Sequence, residues 1–76
     1  MEKKSSWEDR AKRYLKAELK RAGVGYRELA ERLQKHGLDE TEASVTNKLS
    51  RGTFPATFFL AALVAMGAET VKLEDV

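Results

Sequence analysis

Cysteine is absent from this chain. That absence removes disulfides, thiolate zinc sites and cysteine nucleophiles together, and it fits a reducing cytoplasm. Histidine is nearly absent as well. His36 is the only one, so it reads as a polar residue near a helix end and no histidine-based metal site is expected. Long apolar runs are also missing. The most apolar stretch, Phe58 to Met66, is far short of the roughly 20 residues a membrane helix needs. The charged start, Met1-Glu-Lys-Lys-Ser-Ser, is not followed by the unbroken apolar stretch of a signal peptide. A soluble, cytoplasmic protein with no membrane partner is expected. A chain of 76 residues makes one domain with little interior to spare for a deep substrate cavity. No metal cluster, phosphate-cradling glycine loop or nucleophile–base pair stands out. The expectation is therefore not an enzyme, with no cofactor, no metal and no small-molecule substrate. A small domain without such staples relies on packing, or on a partner.

Charge, in contrast, is plentiful. The net value is only +2, but its distribution is uneven. Residues 1–38 carry 11 Lys/Arg against 6 Asp/Glu, while residues 39–76 carry 3 against 6. The basic surface belongs to the first helices, and such a patch is an electrostatic footprint for nucleic acid. A solvated helix face is the plainer reading of the same charges.

Residues 1–5 read as a frayed, disordered tail. A first helix is expected over Trp7–Ala22, capped by Ser5 or Ser6, with Trp7, Ala11, Leu15, Leu19 and Ala22 as its apolar stripe and Gly23 as its C-cap. A second should run from Tyr26 to about Lys35, with Leu29, Ala30 and Leu33 inward and Gly37 as its stop. Val24 is expected as a buried plug, and Gly25 makes a weak start. A third should run from about Glu40 to Arg51. Asp39 with Glu42 reads as its capping box, Thr41 is a competing cap, and Gly52 closes it. Helical phase places Val45, Thr46 and Leu49 on one side and Glu40, Ser44, Asn47, Lys48 and Arg51 on the other. A fourth, from about Pro55 to Met66, has the highest apolar density and is expected at the centre of the core, with Phe58, Phe59, Leu60, Leu63, Val64 and Met66. Glu69 to Val76 alternates at period two, which suggests a short strand; a final helical turn is the competing reading.

The segment Gly23-Val24-Gly25-Tyr26-Arg27-Glu28-Leu29-Ala30-Glu31-Arg32-Leu33 resembles the start of the helix-turn-helix in the lambda-repressor-like (Cro/C1, XRE-type) DNA-binding family. Leu49-Ser50-Arg51-Gly52 resembles the close of that family's recognition helix, and Pro55 through Gly67 its proline-started fourth helix. The likeness covers roughly residues 12–68. It implies an all-α fold, a compact four- to five-helix lambda-repressor-like domain over residues 6–68, with 69–76 as a C-terminal extension. The chain also resembles a bacterial family of small proteins known as a domain of unknown function. Four departures from the lambda-repressor-like pattern stand out, one of them Tyr26, which stands where the family usually has a phosphate-contacting glutamine at the start of the second helix. Gln34 holds the place of a glycine, so the second helix is nearly one turn longer. The interval from Gly37 to Gly52 is about three residues longer, which lengthens the third helix. Thr46 stands where an aliphatic core residue is usual.

The resemblance implies a transcriptional regulator that binds double-stranded DNA, as a homodimer, with the third helix in the major groove. Asn pairs bidentately with adenine and Lys or Arg with guanine. Ser44, Asn47, Lys48 and Arg51 are the candidate base contacts; Tyr26, Arg27 and Thr53 are the candidate phosphate contacts. For Tyr26 the competing role is packing, and for Phe54, Phe58 and Phe59 core packing outweighs base stacking. Residues 39–51 carry Lys48 and Arg51 against Asp39, Glu40 and Glu42, and that acidity opposes phosphate. The alternative is therefore a protein–protein interaction module that keeps the fold without DNA binding. Val71-Lys72-Leu73 is then a candidate edge for pairing with a partner or a second copy.

Overall fold

The computed structural model describes residues 6–76, and the tail expected at residues 1–5 lies outside them. Four α-helices follow one another: α1 (Trp7–Ala22), α2 (Tyr26–Lys35), α3 (Glu42–Arg51) and α4 (Ala56–Ala65), with a 3₁₀ turn at Leu73–Asp75. Among the described residues there is no strand, so the fold is all-α.

Three of the helices end by one device. The N–H of Val24 bonds to the carbonyl of Leu19, that of Leu38 to Leu33 and that of Ala68 to Leu63, at 2.9–3.0 Å. In each case a glycine at positive φ (Gly23, Gly37, Gly67) stands between. The left-handed glycine turns the chain back, so that the apolar residue after it bonds through its N–H to the leucine five places earlier. This Leu-x-x-x-Gly-apolar arrangement buries Val24, half-buries Leu38 and Ala68, and so sets the helices against each other. Gly52 ends α3 differently. A Cβ there would collide with the carbonyl oxygen of Glu8, so the first turn of α1 lies directly on the C-terminus of α3.

The core draws from every helix: Leu15 of α1, Leu29 and Leu33 of α2, Val45 and Leu49 of α3 and Phe58 of α4 are all fully buried. The most extensive helix–helix contact is between α2 and α3; α1 packs on α3 and α4, and α2 on α4. Phe54 lies 5.3 Å from the Phe58 ring and stacks near Phe59 at 6.2 Å, and Tyr14 reaches Phe59 at 6.3 Å. Phe58 is buried, and Phe54 and Phe59 pack against the core, as expected of packing over base stacking. Arg32 of α2 donates to the Ala65 carbonyl at 2.9 Å and pairs with Glu28 at 2.7 Å, placing a cation at the C-terminus of α4, where the helix dipole favours it.

Four expectations are corrected. Trp7 does not join the stripe of α1: it is exposed, with the Arg10 guanidinium 4.2 Å over its ring. Its side of the first turn is left uncovered, while the Glu8 backbone meets Gly52 at the end of α3. The C-terminal segment is not a strand. Arg10 donates to the Val76 carbonyl at 3.0 Å, the Lys72 N–H points at the Tyr14 hydroxyl at 3.4 Å, and Val71 and Val76 pack on the core. Those contacts hold the segment against α1, with the one helical turn that was the competing reading. Leu60 and Val64 are not core; α4 buries only the side that carries Phe58, Ala62 and Leu63, which leaves them outside. Finally, α3 is not lengthened. It has ten residues and starts at Glu42; the extra length lies in the connection from His36 to Thr41.

Candidate functional site

The α2–α3 connection is built around an acid turned inward. Leu38 packs on the core and its carbonyl accepts from the Glu40 N–H at 3.0 Å, a tight turn that keeps residues 38–40 out of the helix. Gln34 donates its side-chain amide to the Glu40 carbonyl at 2.7 Å. Thr41, not Asp39, caps α3. Its hydroxyl accepts from the Ser44 N–H at 3.1 Å, and the Ser44 hydroxyl accepts from the Thr41 N–H at 2.8 Å. This is a capping box in which serine replaces the usual glutamate at the third position.

Glu40 is then buried, against the expectation of an outward residue. Its Oε1 accepts from the Ser44 hydroxyl at 2.6 Å and from the Lys48 ammonium at 3.1 Å. The serine distance is that of a charge-assisted bond, and the lysine contact is a longer ion pair. Lys48 also stands 5.5 Å from the centre of the Phe58 ring. A buried carboxylate costs free energy unless it is paired and hydrogen-bonded; one serine and one lysine on successive turns of α3 do both. Ser44 and Lys48 are half-buried by this work.

The outer face of α3 is made of other residues. Ala43, Thr46, Asn47, Ser50 and Arg51 are exposed, with Glu42 at the first turn. Thr46 is outside rather than in the core, and its hydroxyl donates to the Glu42 carbonyl at 2.8 Å. Among the described residues the side chains of Asn47 and Arg51 make no hydrogen bond or ion pair. Lys12 of α1 donates to the Ser50 carbonyl at 3.2 Å, which brings one cation of the basic first helix to the C-terminal end of α3, beside Arg51. Nothing in the sequence spacing linked Lys12 to α3. The contact follows from the packing of α1 on Gly52.

The remaining candidates are spread along the neighbouring elements. Tyr26 is half-buried and packs against the core, while Arg27 is exposed with its Nε 3.9 Å from Glu31. No side chain caps α2 at Gly25, so its first-turn N–H groups face outward. Thr53 is exposed just past Gly52, and His36 is exposed at the end of α2. Elsewhere a polar recess of about 330 Å³ lies between α1 and the C-terminal segment, lined by Tyr14, Glu18, Arg21, Lys72 and Asp75 among others. Its charges answer one another: the hydrogen bond to Glu18, and then that carboxylate's charge, hold the Arg21 guanidinium above its ordinary value.

The molecule is thus an all-helical domain whose α2–α3 pair carries an outward polar helix face and an internally neutralised acid. The family described as "Domain of unknown function (DUF6471)" matches residues 7–71, all four α-helices and the strip after them. The chain belongs to that family. No curated protein and no solved structure matches it. No described helix is long and apolar enough to cross a membrane.

Proposed function

We propose that this protein is a DNA-binding helix-turn-helix domain, a transcriptional regulator that reads the major groove with α3. The observation that carries the reading is the outer face of α3: Asn47 and Arg51 stand exposed and without a partner among the described residues, flanked by the short side chains of Ala43, Thr46 and Ser50. A helix with such a face can approach base edges closely, with Asn47 pairing to adenine and Arg51 to guanine. The pairing of Glu40 with Lys48 takes one carboxylate and one cation together off the surface phosphate would approach, which leaves its net charge unchanged. Arg27, the Tyr26 hydroxyl, Thr53 and the open first turn of α2 then serve phosphates. Lys12 adds a further cation. Ser44 and Lys48 act indirectly here, by holding the start of α3 in place. The resemblance of Gly23–Leu33, Leu49–Gly52 and Pro55–Gly67 to the lambda-repressor-like family points the same way.

The test is binding to a library of genomic DNA fragments at several salt concentrations. With Lys12, Arg27 and Arg51 as the cations in play, log K should fall with log salt at a slope of roughly −3 per chain. Selected fragments should share a motif, and Asn47→Ala or Arg51→Ala should blur it. Absence of binding at low salt, or binding without salt dependence, refutes the reading. The second reading, a protein-interaction module, is favoured by one observation: the exposed Leu60 and Val64 of α4.

A further inference from the structure

A third of this chain is charged, yet the run from Gly52 to Gly67 contains no Asp, Glu, Lys, Arg or His. It includes all of α4. An apolar pattern around the whole circumference belongs to a helix buried on all sides, but α4 is covered on one side only. Leu60 is 58% exposed and Val64 59%. They stand one turn apart, beside Thr57 and Ala61. Next to them is a shallow cleft of about 180 Å³ lined by Leu60, Leu63, Val64, Ala68, Val71 and the acid Glu69 among others.

We propose that this face is the contact between two copies of the chain, α4 against α4 across a twofold axis. Charge is the first reason to choose a second copy. A twofold interface sets a patch against its own image, so any charge near the axis meets its like. The outer face of α4 has none, and of the residues lining the cleft beside it only Glu69 is charged, whereas the exposed sides of the other helices carry Lys16 and Lys20, Arg27 and Glu31, or Glu42 and Arg51. Shape is the second reason. A surface that carries both exposed side chains and a recess can fit its own image; the exposed Leu60 and Val64 line the cleft, where the copy's side chains can enter. Thr57 and Ala61 are small enough for the helix axes to approach. The tail is not needed for this contact, because Val71 already packs on its own core. The footprint is limited. A ten-residue helix is roughly 15 Å long, and even with residues 68–71 it falls short of the ~800 Å² per partner of a standard interface. The dimer is therefore weak and reversible, and it stands whether or not the chain binds DNA.

Sedimentation velocity on the full chain, from about 5 µM to about 1 mM, tests this over the range in which so small an interface dissociates. A concentration-dependent monomer–dimer equilibrium is expected. Leu60→Glu and Leu60→Lys should each weaken it about ten-fold or more with the far-UV circular dichroism unchanged, and mixing the two should restore a one-to-one dimer. Since the chain has no cysteine, Thr57→Cys and Lys20→Cys each provide a single thiol. Mild oxidation should cross-link the first and spare the second, and this comparison decides if a Leu60 variant loses its helical signal. A chain that stays monomeric at about 1 mM, a dimer that survives Leu60→Glu, or equal cross-linking of the two cysteine variants overturns the proposal.

Discussion

Helices α3 and α4 are both ten residues long and both lean on the same core, through Val45 and Leu49 in one and Phe58, Ala62 and Leu63 in the other. Their outer faces differ in kind. That of α3 is polar and built from short side chains, with one outward cation at its end. That of α4 is apolar and without charge. The difference shows how a small domain divides its surface. Packing fixes which stripe of each helix is spent on stability, and the chemistry of what remains decides what each helix can offer. In α3 the boundary between the two is also chemical, because Ser44 and Lys48, which lie between core and outer face, are engaged by the buried Glu40.

The largest effect should separate core from outer face. Leu49 is fully buried, and Leu49→Ala is expected to cost about 2–5 kcal/mol in urea unfolding. Leu60→Ala, in dilute solution, should stay within about 0.5 kcal/mol. Equal losses would erase the distinction between the two faces. Next, Gly52→Ala combines a positive φ with a collision against the Glu8 carbonyl; thermal unfolding should show a loss of about 2–4 kcal/mol. A tolerated alanine would mean that α1 does not sit on the end of α3. Third, Lys48→Ala strands the Glu40 carboxylate. With Lys48 23% and Glu40 11% exposed at their side chains, the loss should be about 2 kcal/mol, somewhat below that of a fully buried pair. Arg51→Ala, on the outer face, should stay within about 0.5 kcal/mol in the same assay. If Lys48 behaved like Arg51, it would belong with the outer face after all. The smallest effect is Thr41→Ala, which removes one half of the capping box and should cost about 1 kcal/mol.

Much of this was legible beforehand. The bounds of α1 and α2 follow from the periodicity of Leu15, Leu19, Leu29 and Leu33 and from the glycines behind them, because capping and stripe formation are local. The all-helical class followed in the same way. Asn47 and Arg51 were placed outward correctly, since both lie roughly opposite Val45 and Leu49. Other residues could not be read so. Thr46 lies close enough in phase to Val45 to fit either side, and only the positions of α1 and α2 leave it outside. Glu40 looked like an acid near a helix start; its burial depends on Gln34, Ser44 and Lys48 converging from two elements. Trp7, Leu60 and Val64 are apolar and in helical phase, which predicts burial only where another helix is present to cover them. Lys12 met Ser50 because α1 rests on Gly52.

The sequence by itself determined where α1 and α2 begin and end and where α3 stops, because caps, glycines and apolar spacing act within a few residues. It also determined that no cysteine or histidine cluster takes part. The tertiary structure decided which side of α3 and α4 faces out, that Glu40 and Lys48 neutralise each other inside, and that the C-terminal segment folds back on α1 rather than extending as a strand. Those outcomes depend on contacts between elements far apart in the chain, and helical phase leaves them open.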